Sequence, residues 1–214
     1  MVFIPRNFTY IGVDEVPLSL SKGGLVVVAA VTRDRKYAQV HSEKVFLKAK
    51  HFYDHNLLFP QPQEMEGLTD FHWMRVSNGR FSRQEIEHAS IAHVVQSNGF
   101  DPQRTVVIVD AFTNRYHSSA ELIADYLNHK GFNIPKRNVH CIPQADERVA
   151  VVNYADLIAL QICALYNQRY RCHFREAVVL DARAHVVPFD AQRVMNPLEE
   201  CDRKLLEEII TAQK

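Results

Sequence analysis

Two short apolar runs that each end in acid constrain this chain more than any other feature. Tyr10-Ile11-Gly12-Val13 leads into Asp14-Glu15, and Val106-Val107-Ile108-Val109 leads into Asp110. Between them, Leu25-Val26-Val27-Val28-Ala29-Ala30-Val31 carries no polar residue at all. Continuous apolar runs of this length, rich in β-branched residues, mark strands covered on both faces, so the chain must form a sheet with other layers packed on it. An aspartate after such a strand is often only a turn residue. Its recurrence, once as an adjacent pair, points to carboxylates gathered at neighbouring strand ends, where a metal site can form.

The element order follows from the same reading. Strands are expected over 8–13 and 24–32, joined by a turn at 17–23, with a third strand over 38–47 extending the meander. Residues 51–80 combine Pro60, Pro62, Gly67 and Gly79 with Phe52, Tyr53, Phe59, Phe71 and Trp73, which reads as an ordered, aromatic-rich loop or insertion. Ser82-Arg83-Gln84-Glu85 is a capping box that opens a helix ending at Gly99, and Ser118-Ser119-Ala120-Glu121 is a second, opening a helix that stops at Gly131. Between and after them come strands over 105–109 and 138–142, a buried helix over 150–166 and a last strand over 177–180. Pro197 opens a C-terminal helix over 197–214 with Leu205, Leu206, Ile209 and Ile210 on one face. A meander followed by βα units predicts a mixed α/β sheet with flanking helices, and the 214 residues fit one domain, 1–214.

Composition narrows the partners. With 25 basic and 25 acidic residues the net charge is zero, so no global field draws the chain to nucleic acid and such binding needs a local patch. Arg75, Arg80 and Arg83, interleaved with Phe71, Trp73 and Phe81, could form one, although a solvated face with a few aromatics packed beneath it is the more common outcome; Lys22 in the first turn is a further substrate-binding candidate. The 11 histidines are scattered and no Cys-x-x-Cys spacing occurs, which speaks against zinc; His72, His117 and His140 could each assist a water. Cys141, Cys163, Cys172 and Cys201 lack a framework spacing and read as reduced thiols. No apolar run approaches the roughly 18 residues of a membrane span, and a signal-peptide core is not evident, so the expectation is a cytoplasmic protein without a membrane partner.

A third acidic segment, Ala145-Asp146-Glu147-Arg148, precedes the buried helix, which carries Tyr154-Ala155-Asp156-Leu157-Ile158-Ala159. With Gly12-Val13-Asp14-Glu15, the apolar strand 26–31 and Val109-Asp110, these stand in the order and approximate spacing of the type 2 ribonucleases H, which the chain resembles over roughly residues 8–165. The resemblance implies a ribonuclease H-like fold and four catalytic, metal-ligating carboxylates: Asp14, Glu15, Asp110 and Asp146. In that reading Asp14 bridges two ions, Asp110 and Glu15 hold one each, and Asp146 holds the second or orients the water. The chain also departs from the family. Val16-Pro17-Leu18-Ser19 replaces the glycine-arginine-glycine loop that reads an RNA–DNA junction, Gln144 replaces a lysine, and Asp156 replaces a helix serine. Ala155-Asp156-Leu157 resembles another, mostly uncharacterised branch of ribonuclease H-fold proteins, which makes Asp156 a further metal ligand or a replacement for Asp146.

The chemistry is consistent with those residues. Several carboxylates on one sheet face repel each other unless cations are present, and Mg²⁺ or Mn²⁺, as hard ions, prefer such oxygen ligands. Two such ions about 4 Å apart can hydrolyse a phosphodiester. The expected function is a divalent-metal-dependent nuclease acting on RNA, RNA–DNA hybrid or structured DNA. Two other readings stay open: a non-catalytic binding protein of the same fold, and a metal-dependent hydrolase of small phosphate or nucleotide substrates. Asp146 and Glu147 could also serve only as first-turn acids of a helix. The oligomeric state is not legible.

Overall fold

The longest apolar stretches lie in the middle of the sheet. A computed structural model describes residues 7–17, 24–55, 57–60, 62–77, 100–111, 116–129 and 131–166. Strands β1 (Thr9–Pro17), β2 (Gly24–Thr32), β3 (Asp70–Ser77), β4 (Thr105–Asp110) and β5 (Val139–Ile142) form one sheet in the order β3-β2-β1-β4-β5. β1–β2 and β2–β3 are antiparallel, whereas β1–β4 and β4–β5 are parallel. The helices are α1 (Ala49–Asp54), α2 (Tyr116–His129), α3 (Ala145–Arg148) and α4 (Ala150–Tyr166). This is the mixed α/β sheet with flanking helices that the element order implied.

Period-two alternation sorts the strand residues onto two cores. Tyr10, Val26, Val28, Ala30, Phe71, Trp73, Val106 and Ile108 pack with Val151, Val152, Ala155, Ile158 and Ile162 of α4. Ile11, Val13, Val27, Ala29, Val107 and Val109 pack with Ile123, Ala124 and Leu127 of α2. Gly12 lies on the α4 side. A Cβ there would sit 2.4 Å from the carbonyl carbon of Val151 and 2.6 Å from the amide of Val152, so only glycine lets the helix backbone rest on β1.

Two expectations need correction. The third strand is not 38–47 but Asp70–Ser77, inside the stretch expected to be loop. Residues 39–48 instead run as irregular chain whose backbone bonds to α3 (Val45 N–H to Glu147 O at 2.9 Å, His41 N–H to Arg148 O at 2.9 Å) and accepts, at the Leu47 carbonyl, from Asn153 Nδ2 of α4 at 2.8 Å. The first strand does not end at the acid pair either. β2 stays extended and apolar opposite it, so the pairing continues past Asp14↔Val28 and Glu15↔Val27 to Pro17↔Leu25. The helix from Ser82, the strand at 177–180, the helix from Pro197, Lys22, Arg80, Cys172 and Cys201 lie outside the described residues, as does the side chain of Arg75, whose backbone pairs with Val26. Among the described residues no helix is long and apolar enough to cross a membrane.

Candidate metal centre

Alternation along β1 separates its two acids. Asp14 follows Tyr10 and Gly12 onto the α4 side, and its cross-strand partner Val28 belongs to the core there. Glu15 is buried at the next position, opposite Val27, whose core is the one beneath α2. In β4 the same rule sends Asp110 after Val106 and Ile108 to the α4 side. The chain leaves β5, turns at Gln144 in the left-handed conformation (φ 55°, ψ 41°), and α3 brings in Asp146. That turn also directs the Ala145 amide onto Oδ1 of Asp110 at 2.6 Å. Asp156 arrives about two turns into α4, the helix that Gly12 draws against β1.

Four aspartates thus share one side of the sheet. Ligand oxygens of Asp14, Asp146 and Asp156 lie within 4.8 Å of one another, and this is the group of three or more possible ligand residues that the described residues bring together. Asp110 stands beside it and Glu15 is outside it. Two carboxylates are held by backbone amides from remote segments: Asp110 by Ala145, and Asp156 Oδ2 by Ala49 at 2.7 Å. Asp14 Oδ1 accepts from the Glu15 amide at 2.7 Å. Asp146 is 4% exposed; its Oδ2 meets Lys48 Nζ at 2.6 Å, while its Oδ1 is buried with no hydrogen-bond partner.

The electrostatics follow from burial and like charge. Burial, then the charges of Asp156, Asp110 and Asp146, push Asp14 well above the carboxylate range. Asp110 is pushed up to about 6 by burial and the neighbouring Asp146 charge. Asp156 is pushed up to about 7, burial outweighing the hydrogen bond from Ala49. Three raised acids and an orphaned buried carboxylate oxygen describe a place that fits a divalent cation. The donors are all carboxylate oxygens, the set that suits Mg²⁺ or Mn²⁺ rather than softer metals.

Lys48 is the residue that sequence reasoning passed over. It precedes α1 in Leu47-Lys48-Ala49-Lys50, where nothing distinguishes it from a surface lysine. Its Nζ pairs with Asp146 and, at 3.3 Å, with Glu147, which Lys44 also holds at 2.6 Å. Partial burial pulls the Lys48 ammonium down, but its hydrogen bond to Asp146 and the surrounding carboxylates raise it strongly overall. A second unforeseen pair is His51 and His55, stacked at 4.0 Å on the surface of α1, with His55 Nδ1 on the His51 carbonyl at 3.0 Å. No third ligand joins them among the described residues. His140 lies two positions before Ile142 in β5, half-buried, and burial lowers its pKa. His72 sits opposite Ala29, on the α2 side, away from the aspartates, and approaches Asp70 at 3.3 Å.

One comparison with known proteins bears on the fold. No protein-family model matches the chain, and no curated protein matches it in sequence. Among solved structures it is similar to ribonuclease H2 from Pyrococcus horikoshii OT3, with a TM-score of 0.50 and 18% identity over 77% of this chain and 76% of that one. It is also similar to ribonuclease HII from Archaeoglobus fulgidus, solved with PCNA (TM-score 0.46, 16% identity, 82% of this chain and 77% of that one). A third similar structure is Bst ribonuclease HIII in complex with Mn²⁺ (TM-score 0.43, 18% identity, 77% of this chain and 54% of that one). At such identities the likeness is one of fold: the chain has a ribonuclease H-like α/β fold.

Proposed function

We propose that this chain is a divalent-metal-dependent nuclease, hydrolysing a phosphodiester in RNA, an RNA–DNA hybrid or structured DNA. The observation that carries the proposal is the convergence of Asp14, Asp146 and Asp156 from a strand and two helices, with Asp146 Oδ1 buried and unpartnered. Buried like charges cost free energy unless an opposite charge offsets them, so a cluster of this kind suits a cation. Asp14, Asp146 and Asp156 would hold the ion, with Asp110 beside them. A bound Mg²⁺ or Mn²⁺ supplies activation of water and stabilisation of charge on the departing oxygen.

The chain's own groups do the rest. The amides of Ala145 and Ala49 fix the Asp110 and Asp156 carboxylates, so little reorganisation is needed when substrate arrives. With the trio holding the ion, Asp110, raised first by burial, is the carboxylate left to take a proton. Glu15 has no part in this proposal, because its register position lies on the other side of the sheet.

The test is a cleavage panel: labelled RNA–DNA hybrid, a single ribonucleotide in DNA, plain RNA and plain DNA, each with Mg²⁺ or Mn²⁺. Metal-dependent cutting by the wild type that disappears in Asp14→Asn is the expected result. Clean wild-type protein that cuts none of the four, with either metal, would overturn the nuclease reading; turnover of small phosphodiesters in its place would favour the small-substrate hydrolase.

A further inference from the structure

We propose that Lys48 serves as the second cation of this centre, so that each chain takes one divalent ion where a two-ion site would otherwise stand. The proposal rests on the metal reading above and deepens it.

Lys48 is held in place rather than merely near. On one side of it, Val45 and Phe46 donate backbone N–H groups to Glu147 O at 2.9 and 3.1 Å. On the other, Ala49 donates to Asp156. The Leu47 carbonyl accepts from Asn153 Nδ2 at 2.8 Å, and the same amide group also donates to the Asp146 carbonyl at 2.8 Å. The lysine is therefore tied to α3 and α4, the two helices that supply Asp146 and Asp156. These bonds fix the backbone from which the side chain reaches out, and the ion pairs with Asp146 and Glu147 hold its ammonium.

The ammonium divides Asp146 in two. Oδ2 is taken by Nζ at 2.6 Å, while Oδ1 is buried and unpartnered, which leaves it open to an ion. Asp110, which a two-ion site would need as a ligand, is outside the converging trio. Lys48 sets a positive charge against Asp146, which it pairs with, and against Asp110, which also feels the negative charge of Asp146. An ammonium is a compact point charge that carries no ligand field and cannot activate water, but it can neutralise a carboxylate and meet a phosphate oxygen. The side chain of Lys48 is 39% exposed, so a phosphate entering the centre from solvent can reach it.

Calorimetric and electron paramagnetic resonance titrations of the full chain with Mn²⁺ alone, without substrate, test this. The expected result is one tightly bound ion in the wild type. Lys48→Gln should acquire a second ion, and its first should bind on the order of tenfold more tightly, because a neighbouring positive charge is gone. Lys48→Arg keeps the charge and should stay at one ion, and melting curves of both variants report that they fold. Two ions of comparable affinity in the wild type, or a Lys48→Gln titration identical to wild type, would overturn the role of Lys48 while leaving the metal reading intact. No Mn²⁺ binding by the wild type would remove both.

Discussion

On the α2 side of the sheet, β1 and β4 present Ile11, Val13, Val107 and Val109, and the layer is closed by aliphatic packing with Ile123, Ala124 and Leu127. On the α4 side the same strands present Tyr10, Gly12, Asp14, Val106, Ile108 and Asp110, and the packing opens into carboxylates at one end. One side gains stability from buried apolar area. The other gives some of it up, because its buried acids hold raised pKa values until a cation or a proton neutralises them. What separates the two is a shift of one residue along β1, which places Asp14 in the centre and Glu15 outside it. A strand whose side chains alternate can thus build an apolar face and an acid-bearing face from one apolar run.

The largest expected effect breaks the α4 side mechanically. Gly12→Ala puts a methyl into the backbone of Val151 and should cost about 3 kcal/mol or more in a urea melt, since neither β1 nor α4 can yield. Ile11→Ala on the α2 side should cost about 2–5 kcal/mol by leaving a cavity, without altering Mn²⁺ affinity. A loss of Mn²⁺ binding in Ile11→Ala would mean that the two faces are coupled.

Next comes the electrostatic difference. Asp14→Asn should weaken Mn²⁺ on the order of 100-fold by calorimetry. It should also raise the melting temperature of the metal-free protein by roughly 3 °C, because a desolvated, repelled carboxylate is removed. Lower stability in metal-free Asp14→Asn would contradict the repulsion argument.

A smaller effect should appear with pH. Asp110 and Asp156 rise from the ordinary 3.8 to about 6 and about 7, so the folded chain keeps protons that the unfolded chain releases. Their contribution is present at low pH and lost as pH climbs through the folded values. Without metal, stability should fall as pH climbs from roughly 4 to 7, and saturating Mn²⁺ should flatten that decline. An increase over the same window, followed by differential scanning calorimetry, would show that other groups dominate.

The smallest effect sharpens the contrast between neighbours. Glu15→Gln should change Mn²⁺ affinity by less than about threefold, against the large loss in Asp14→Asn. Equal losses in the two variants would mean that the Glu15 side chain reaches around the strand and joins the centre.

Much of the architecture was legible because apolar periodicity is a local signal. The helix expected over 150–166 is found as Ala150–Tyr166, and the strands around Asp110 and before Pro143 lie where expected. The third strand was not legible, because Asp70–Ser77 interleaves aromatic, basic and polar residues and follows a Pro- and Gly-containing segment. Residues 38–47 look extended, but their backbone bonds go to α3 and α4, partners more than a hundred positions away.

Sequence alone therefore determined four of the five strands, the long helix and the presence of acids beside strand ends, since each rests on neighbours within a few residues. Tertiary structure decided which acids meet. Register assigned Asp14 and Glu15 to opposite sides, Gly12 allowed α4 to carry Asp156 onto β1, and the irregular segment 39–48 brought Lys48 to Asp146. The physical reason is that charge–charge and metal-site geometry depend on distances of a few ångströms between segments far apart in sequence, and pairing and packing alone set those distances.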